Sequence, residues 1–341
     1  MKFKNQFTID GYILSKKTRP IIIAEGGVSH FGSMIKMKKL IDLAKYSNAD
    51  FFKTQAFYVD SMISSSLSKW KKRMKKRQVS FDFLKEAKLY CSKKKIKFLC
   101  TPHDLQAFND LEKLNVPAYK IGSGEKGNFD LLTAVAQTKK PVILSTGMHN
   151  LEDINNALDV FRKNKSNKLC LLHCTTSYPI PDKEVNLHSI LKLKELYDLP
   201  IGYSDHTNSH TASIAAVALG AKVIEKHISL DFNIPDAQDW KVSCGPKDFS
   251  IFVNEVKKAY SCLGVVEKKI QKSELKSTKW ALKRAIALTK INIGEKLTLK
   301  NIAYKRSEFG ILPSEVKYYL GKKIKKSIKI DFPIKKQHFD D

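Results

Sequence analysis

The chain has 341 residues, and its 61 Lys and Arg against 34 Asp and Glu leave a formal charge of +27. Hydrophobic residues at 43% and aromatics at 10% supply a substantial core, which excludes a disordered basic protein of low hydrophobicity. No apolar run reaches the roughly 18–20 residues of a membrane span and the start MKFKNQFTID lacks a signal peptide's apolar centre, so a soluble, cytoplasmic protein is expected, with no membrane partner.

Short apolar runs recur along the chain, each ending in polar residues: IIIAE (21–25), FFKTQ (51–55), KFLCT (97–101), AYKIGS (118–123), PVILST (141–146), LCLLHC (169–174), PIGYSDH (200–206) and KVIEKH (222–227). Between them lie stretches with helical spacing, such as Met34, Met37, Leu40, Ile41 and Ala44, then Phe83, Leu84, Ala87 and Tyr90, and later Ile214, Ala215, Ala218 and Leu219. Eight strands alternating with helices predict parallel βα units closed into a (β/α)8 TIM barrel, an α/β fold, with the last helix at 249–263. An open doubly wound sheet fits less well, because the first turn, Ala24 to His30, is not a glycine-rich GxGxxG loop.

The barrel domain is assigned to 1–263, a linker to the charged segment 264–280, and a small α+β domain to 281–341, with a turn at Asn292 to Glu295 and a helix-like SEVKYYLGKK. Cys91, Cys100, Cys170, Cys174, Cys244 and Cys262 include no CxxC pair and read as buried reduced thiols. The densest basic run, Lys69 to Arg77, reads as a solvated helix face, since lysine also saturates positions far from it; no nucleic-acid partner is expected.

In such a barrel, chemistry sits at the C-terminal ends of the strands. Those ends carry Glu25, Lys53, Gln55, Thr101, Lys120, Ser123, Glu125, Ser145, Thr146, His173, Ser204, Asp205, His206, Glu225 and His227. Lys53 and Lys120 with Thr101, Ser123, Ser145 and Ser204 form a set able to hold a phosphate and a carboxylate together, which points to an anionic phosphorylated substrate. His206 and His227, on neighbouring strands, are open to two readings: ligands of Mn²⁺ or another divalent ion, or hydrogen-bonding residues. Glu25 and Glu125 are candidates for proton transfer or for partners of a metal-bound water.

The runs Ile23-Ala24-Glu25, Phe52-Lys53-Thr54-Gln55, Thr101-Pro102, Lys120-Ile121-Gly122-Ser123-Gly124-Glu125, Ser145-Thr146-Gly147-Met148, Tyr178-Pro179, Gly202-Tyr203-Ser204-Asp205-His206-Thr207 and Glu225-Lys226-His227 closely resemble the sialic acid synthase family, in the family's order. The tail from Arg284 to Pro313 resembles that family's antifreeze-like (SAF) domain. The resemblance implies a Mn²⁺- or Mg²⁺-dependent condensation of phosphoenolpyruvate with an open-chain N-acetylated amino sugar, giving a nonulosonic acid and phosphate. It implies metal ligation by His206 and His227 and catalytic positions at Glu25, Glu125, Lys53 and Lys120. It further implies phosphoenolpyruvate contacts from Lys53, Thr101, Lys120, Ser123, Ser145 and Ser204, with Glu225 also among the substrate-binding positions, and sugar contacts from Gln55, Tyr178 and Asp239. Arg306 matches an arginine that reaches the barrel mouth of a partner subunit, which implies a domain-swapped homodimer.

This sequence departs from the family pattern at Ser29-His30-Phe31-Gly32, Thr101-Pro102-His103, Ala237-Gln238-Asp239-Trp240, Arg306-Ser307-Glu308 and the basic run, departures that fall mainly on the sugar side and the small domain. Two other readings stand beside the nonulosonate synthase. One is a related synthase joining phosphoenolpyruvate to a phosphorylated aldose, which the antifreeze-like tail opposes; the other is an inactive barrel kept as a binding module, which the complete polar rim opposes.

Overall fold

Each of the eight apolar runs forms a strand in the computed structural model, which describes residues 1–235 and 237–339. A hairpin precedes them, β1 (Gln6–Ile9) and β2 (Tyr12–Ser15). The barrel strands are β3 (Ile21–Gly27), β4 (Phe51–Ala56), β5 (Lys97–Pro102), β6 (Tyr119–Ile121), β7 (Val142–Ser145), β8 (Leu169–Cys174), β9 (Ile201–Asp205) and β10 (Val223–His227). Their order is β5-β4-β3-β10-β9-β8-β7-β6 with every pairing parallel, a nearly closed (β/α)8 barrel of the TIM type. The helices are α1 (Met34–Tyr46), α2 (Val59–Met62), α3 (Ser68–Lys75), α4 (Phe81–Lys94), α5 (Leu105–Lys113), α6 (Phe129–Gln137), α7 (Leu151–Lys163), α8 (His188–Leu196), α9 (Thr211–Ala218) and α10 (Phe249–Leu263). None is long and apolar enough to cross a membrane.

Alternation along the strands sorts their side chains into two cores. One set, including Ile22, Phe52, Phe98, Tyr119, Leu144, Leu171, Tyr203 and Ile224, packs outward against the helices. The other, Ile21, Ile23, Phe51, Leu99, Ala118, Ile143, Cys170, Leu172 and Val223, fills the barrel interior together with Phe7, Ile9 and Leu14 of the hairpin. The hairpin therefore plugs the N-terminal end of the barrel. Its two-residue loop is Asp10-Gly11, with φ of +44° and +89°, the positive-φ pair that tight hairpin turns require. Gly202 is needed inside: a Cβ there would lie 2.6 Å from the Val223 carbonyl oxygen.

The first unit spans Met1–Gly264, and the second, Val265–Asp341, has its own core of Ala285, Ile291, Leu297, Ile311, Ile324, Ile334 and Phe339, among others. It contains α11 (Ser277–Ala281) and the antiparallel pair β11 (Lys283–Ala287) and β12 (Ile302–Arg306). Part of the segment read as linker is thus helical. The expected helix at SEVKYYLGKK is only a single 3-10 turn, Val316–Tyr318. Val316 and Tyr319 face the core while Gly321, at φ +81°, ends the turn. All six cysteines are free, and all but Cys262 are buried.

Candidate active site

On every barrel strand but β8, which carries Cys174 there, the inward-pointing position that follows the apolar interior is polar. Glu25, Lys53, Thr101, Lys120, Ser145, Ser204 and Glu225 are all buried and line one cavity of about 580 Å³ at the C-terminal mouth of the barrel. That size and position suit a small-molecule site. The same alternation turns His173 and Asp205 outward: His173 bonds the Val185 carbonyl, and Asp205 accepts from Ser213 of α9. Thr146 bonds the Leu172 carbonyl.

Charges in the mouth are densely cross-linked. Lys53 Nζ lies 2.7 Å from Glu25 Oε2 and 3.6 Å from Glu225 Oε2, and it donates to Thr101 Oγ1 at 3.2 Å. Lys120 Nζ donates to Ser145 Oγ at 2.7 Å and stands 3.5 Å from Glu225 Oε1, which also accepts from Ser204 Oγ at 3.0 Å. Gln55 Nε2 donates to Glu25 Oε1 at 2.9 Å. Buried charges persist only when compensated, and Glu225 is the hub that compensates both lysines. Burial raises the Glu225 pKa, but Lys120 and Lys53 outweigh it and hold the carboxyl below its usual range. The two ammonium groups differ. Burial opposes the charge on Lys53, yet Glu225 and Glu25 more than restore it, whereas burial wins at Lys120 and lowers its pKa despite Glu225. Lys120 is thus the less compensated cation, placed to gain from an arriving anion.

A second cluster holds His206 and His227, with ring centroids 5.4 Å apart. His206 Nδ1 bonds the Thr175 carbonyl at 2.8 Å, which leaves Nε2 as the lone-pair nitrogen, and the Tyr178 hydroxyl lies 3.1 Å from it. Tyr178 stacks on His206 at 4.2 Å and meets His227 edge-on at 5.8 Å. Burial pushes His227 down to about 3, so it is neutral, and its Nδ1 has no hydrogen-bond partner among the described residues. Asp239, on the short 3-10 helix Asp239–Val242, lines the same cavity. No group of three or more His, Cys, Asp and Glu side chains among the described residues is placed to hold a metal ion.

Ser123 also lines the cavity, its Oγ accepting from Gly147 N at 3.0 Å. Glu125 does not line it. The Glu125 carboxylate turns to His103 Nδ1 at 3.1 Å and to Asn128 Nδ2 at 2.8 Å, and His103 is the lining residue. Arg306 lies at the end of β12 in the second unit, exposed, with its guanidinium carbon 5.7 Å from the Trp280 ring centroid.

A match to the NeuB family model spans residues 40–268. The chain belongs to the NeuB family. It is 39% identical to the N,N'-diacetyllegionaminic acid synthase of Campylobacter jejuni over 93% of this chain and 98% of that one. It is 31% identical to the human N-acetylneuraminate-9-phosphate synthase over 94% and 92%. The crystal structure of a sialic acid synthetase from Leptospira borgpetersenii, in complex with citrate, superposes with a TM-score of 0.75 at 32% identity and covers 81% of this chain and 96% of that one. The family and these synthases make the chain an enzyme of the sialic acid synthase type.

In this NeuB-family barrel the basic run is not wholly a solvated face. Lys69, Lys72, Lys75 and Lys76 are exposed, but Trp70, Arg73, Met74 and Arg77 line the cavity, and Arg77 sits 5.1 Å from the Phe31 ring centroid. The signal lay in the spacing: residues 70, 73, 74 and 77 share one helical face, and it carries the run's only aromatic and its methionine.

Proposed function

We propose that this chain is a nonulosonic acid synthase that condenses phosphoenolpyruvate and water with an open-chain N-acetylated amino sugar, releasing phosphate. The observation that carries the reading is the buried ring in which two lysines and several hydroxyls converge on one cavity beside a histidine pair. Lys53 and Lys120, with Thr101, Ser123, Ser145 and Ser204, hold the phosphate and carboxylate of phosphoenolpyruvate. Burial strengthens each charge-assisted hydrogen bond they make. Gln55, Tyr178 and Asp239 face the acceptor, and Glu25, locked to Lys53 and Gln55, orients both sides of the cavity. The identity to a diacetyllegionaminic acid synthase favours a di-N-acetylated 6-deoxy hexose as acceptor over N-acetylmannosamine.

His206 and His227 fit a divalent ion such as Mn²⁺ or Mg²⁺: the His206 Nδ1 is engaged by a backbone carbonyl, which turns Nε2 to the cavity side, and His227 is neutral with an orphaned ring nitrogen. The remaining positions would go to oxygen donors, and the ion would supply Lewis-acid polarisation of the acceptor aldehyde. For the second unit we retain the antifreeze-like (SAF) assignment, with Arg306 serving the site of a partner in a domain-swapped homodimer. The test is a mass spectrum of the product formed from phosphoenolpyruvate and each acceptor. A species equal to acceptor plus pyruvate is expected; unchanged acceptor throughout the panel would refute the reading.

A further inference from the structure

His103 occupies a position in the cavity that no strand-end count assigned. It follows β5, its backbone N–H donates to the Ala56 carbonyl, and its ring lies 6.4 Å from Phe57, centroid to centroid. Gly122 lies beside the ring, where a Cβ would stand 3.4 Å from its Cε1. Behind the ring is Glu125, with both oxygens engaged: Oε1 at 3.1 Å from His103 Nδ1 and Oε2 accepting from Asn128 Nδ2 at 2.8 Å. A carboxylate only accepts, so facing one the ring donates from Nδ1, and in the neutral imidazole Nε2 then holds the lone pair. This is the arrangement of a base held in one tautomer by an orienting acid.

We propose that His103 is the proton-transfer residue at this wall and that Glu125 is a positioning residue acting through it, an inference that rests on the synthase reading above. As the methylene carbon of phosphoenolpyruvate bonds to the acceptor aldehyde carbon, the alkene electron pair forms that bond and the aldehyde oxygen becomes an alkoxide. Water adds through oxygen to the cationic enol carbon, its proton passes to His103 Nε2, and the imidazolium returns that proton to the alkoxide. The carbon–oxygen bond to phosphate then breaks with its electrons going to phosphate. The remaining hydroxyl becomes the ketone and gives its proton to the departing phosphate, so His103 ends as it began.

The test compares His103→Ala, His103→Gln, Glu125→Gln and the double variant His103→Ala/Glu125→Gln, with Mn²⁺, phosphoenolpyruvate and an accepted sugar, by phosphate release. Loss of a general acid–base group predicts a fall in kcat of roughly 10²- to 10⁴-fold for both His103 variants, with KM for phosphoenolpyruvate little changed. Added imidazole should restore His103→Ala in proportion to its concentration, because the lost side chain faces an open cavity, a response that a merely structural role does not give. Glu125→Gln should lose less, and the double variant should be no slower than His103→Ala, since groups acting as one unit are not additive. Should His103→Ala not fold, His103→Gln against Glu125→Gln decides by the order of their losses. A larger loss in Glu125→Gln than in either His103 variant, multiplying losses, or no response to imidazole in folded His103→Ala would overturn the assignment while leaving the synthase reading intact. A wild-type enzyme that releases no phosphate with any acceptor would remove that reading and this one together.

Discussion

Glu225→Gln keeps the shape of the hub and removes its charge, leaving, among the described residues, Lys53 with Glu25 alone and Lys120 with no carboxylate within 4 Å. At 3.5 Å and an effective dielectric of about 20, each ammonium–carboxylate attraction is about 5 kcal/mol. Part of this is offset because the glutamate no longer has to be buried as an ion, and breaking a buried pair this way typically costs about 3–5 kcal/mol. The cost has a ceiling, since Lys120 can give up its proton. From an ordinary lysine pKa of about 10.4, neutralising it at pH 7 takes roughly 4.6 kcal/mol, and at pH 9 roughly 1.9. The sign follows: Lys120 stays charged in the unfolded chain at both values, so the penalty for folding with it neutral shrinks as pH rises. Denaturant unfolding, followed by a probe confined to the barrel, should show Glu225→Gln less stable by about 3–5 kcal/mol at pH 7, with a smaller deficit at pH 9. Saturating phosphoenolpyruvate, taking over the role of counter-ion, should recover part of the loss. A variant within about 1 kcal/mol of wild type at pH 7, or a deficit that grows with pH, would refute the charge-hub argument.

Because burial lowers the Lys120 pKa, its charge is lost as pH rises, before the ordinary lysine range. The KM for phosphoenolpyruvate should therefore climb on the alkaline side, and in Lys120→Arg, which stays charged, the rise should move to higher pH; identical profiles would count against Lys120 as an anion ligand. Leu14→Ala removes part of the barrel plug and should cost about 2–5 kcal/mol of stability while kcat, measured well below the transition, stays near wild type. Arg306→Ala should lower kcat/KM by roughly 10- to 100-fold, the worth of a charged hydrogen bond, and light scattering should give a dimer mass. A fully active monomer would leave Arg306 no partner to serve.

The barrel was legible because parallel strands covered on both faces read as continuous apolar runs, and each polar interruption at a strand end marks the mouth. Which end residues point inward follows from alternation with the apolar interior, which separates Ser204 and Glu225 from Asp205 and His173. The plug carried the Asp10-Gly11 signal between FTI and YIL, but two four-residue strands are too short to announce a hairpin by periodicity. Helix α9 shows the opposite difficulty. TASIAAVA is small or apolar nearly all round, so the expected stripe at Ile214, Ala215, Ala218 and Leu219 is out of phase with the buried Ala212, Ser213, Ala216 and Val217. Glu125 and His103 lie on turns after their strands, where alternation fails, so the sequence does not tell that His103 lines the cavity while Glu125 bonds it from behind. In α3, lysine on the solvent side hid the face that carries Trp70 and Met74.

The central claim is that this cavity joins phosphoenolpyruvate to an N-acetylated amino sugar. Phosphate release from phosphoenolpyruvate, with and without chelator, against N-acetylmannosamine and di-N-acetylated 6-deoxy hexoses tests it most directly. The account predicts release that requires both a divalent metal and a sugar, fastest with a di-N-acetylated acceptor. Release independent of any sugar, or none with every acceptor and metal, would contradict it.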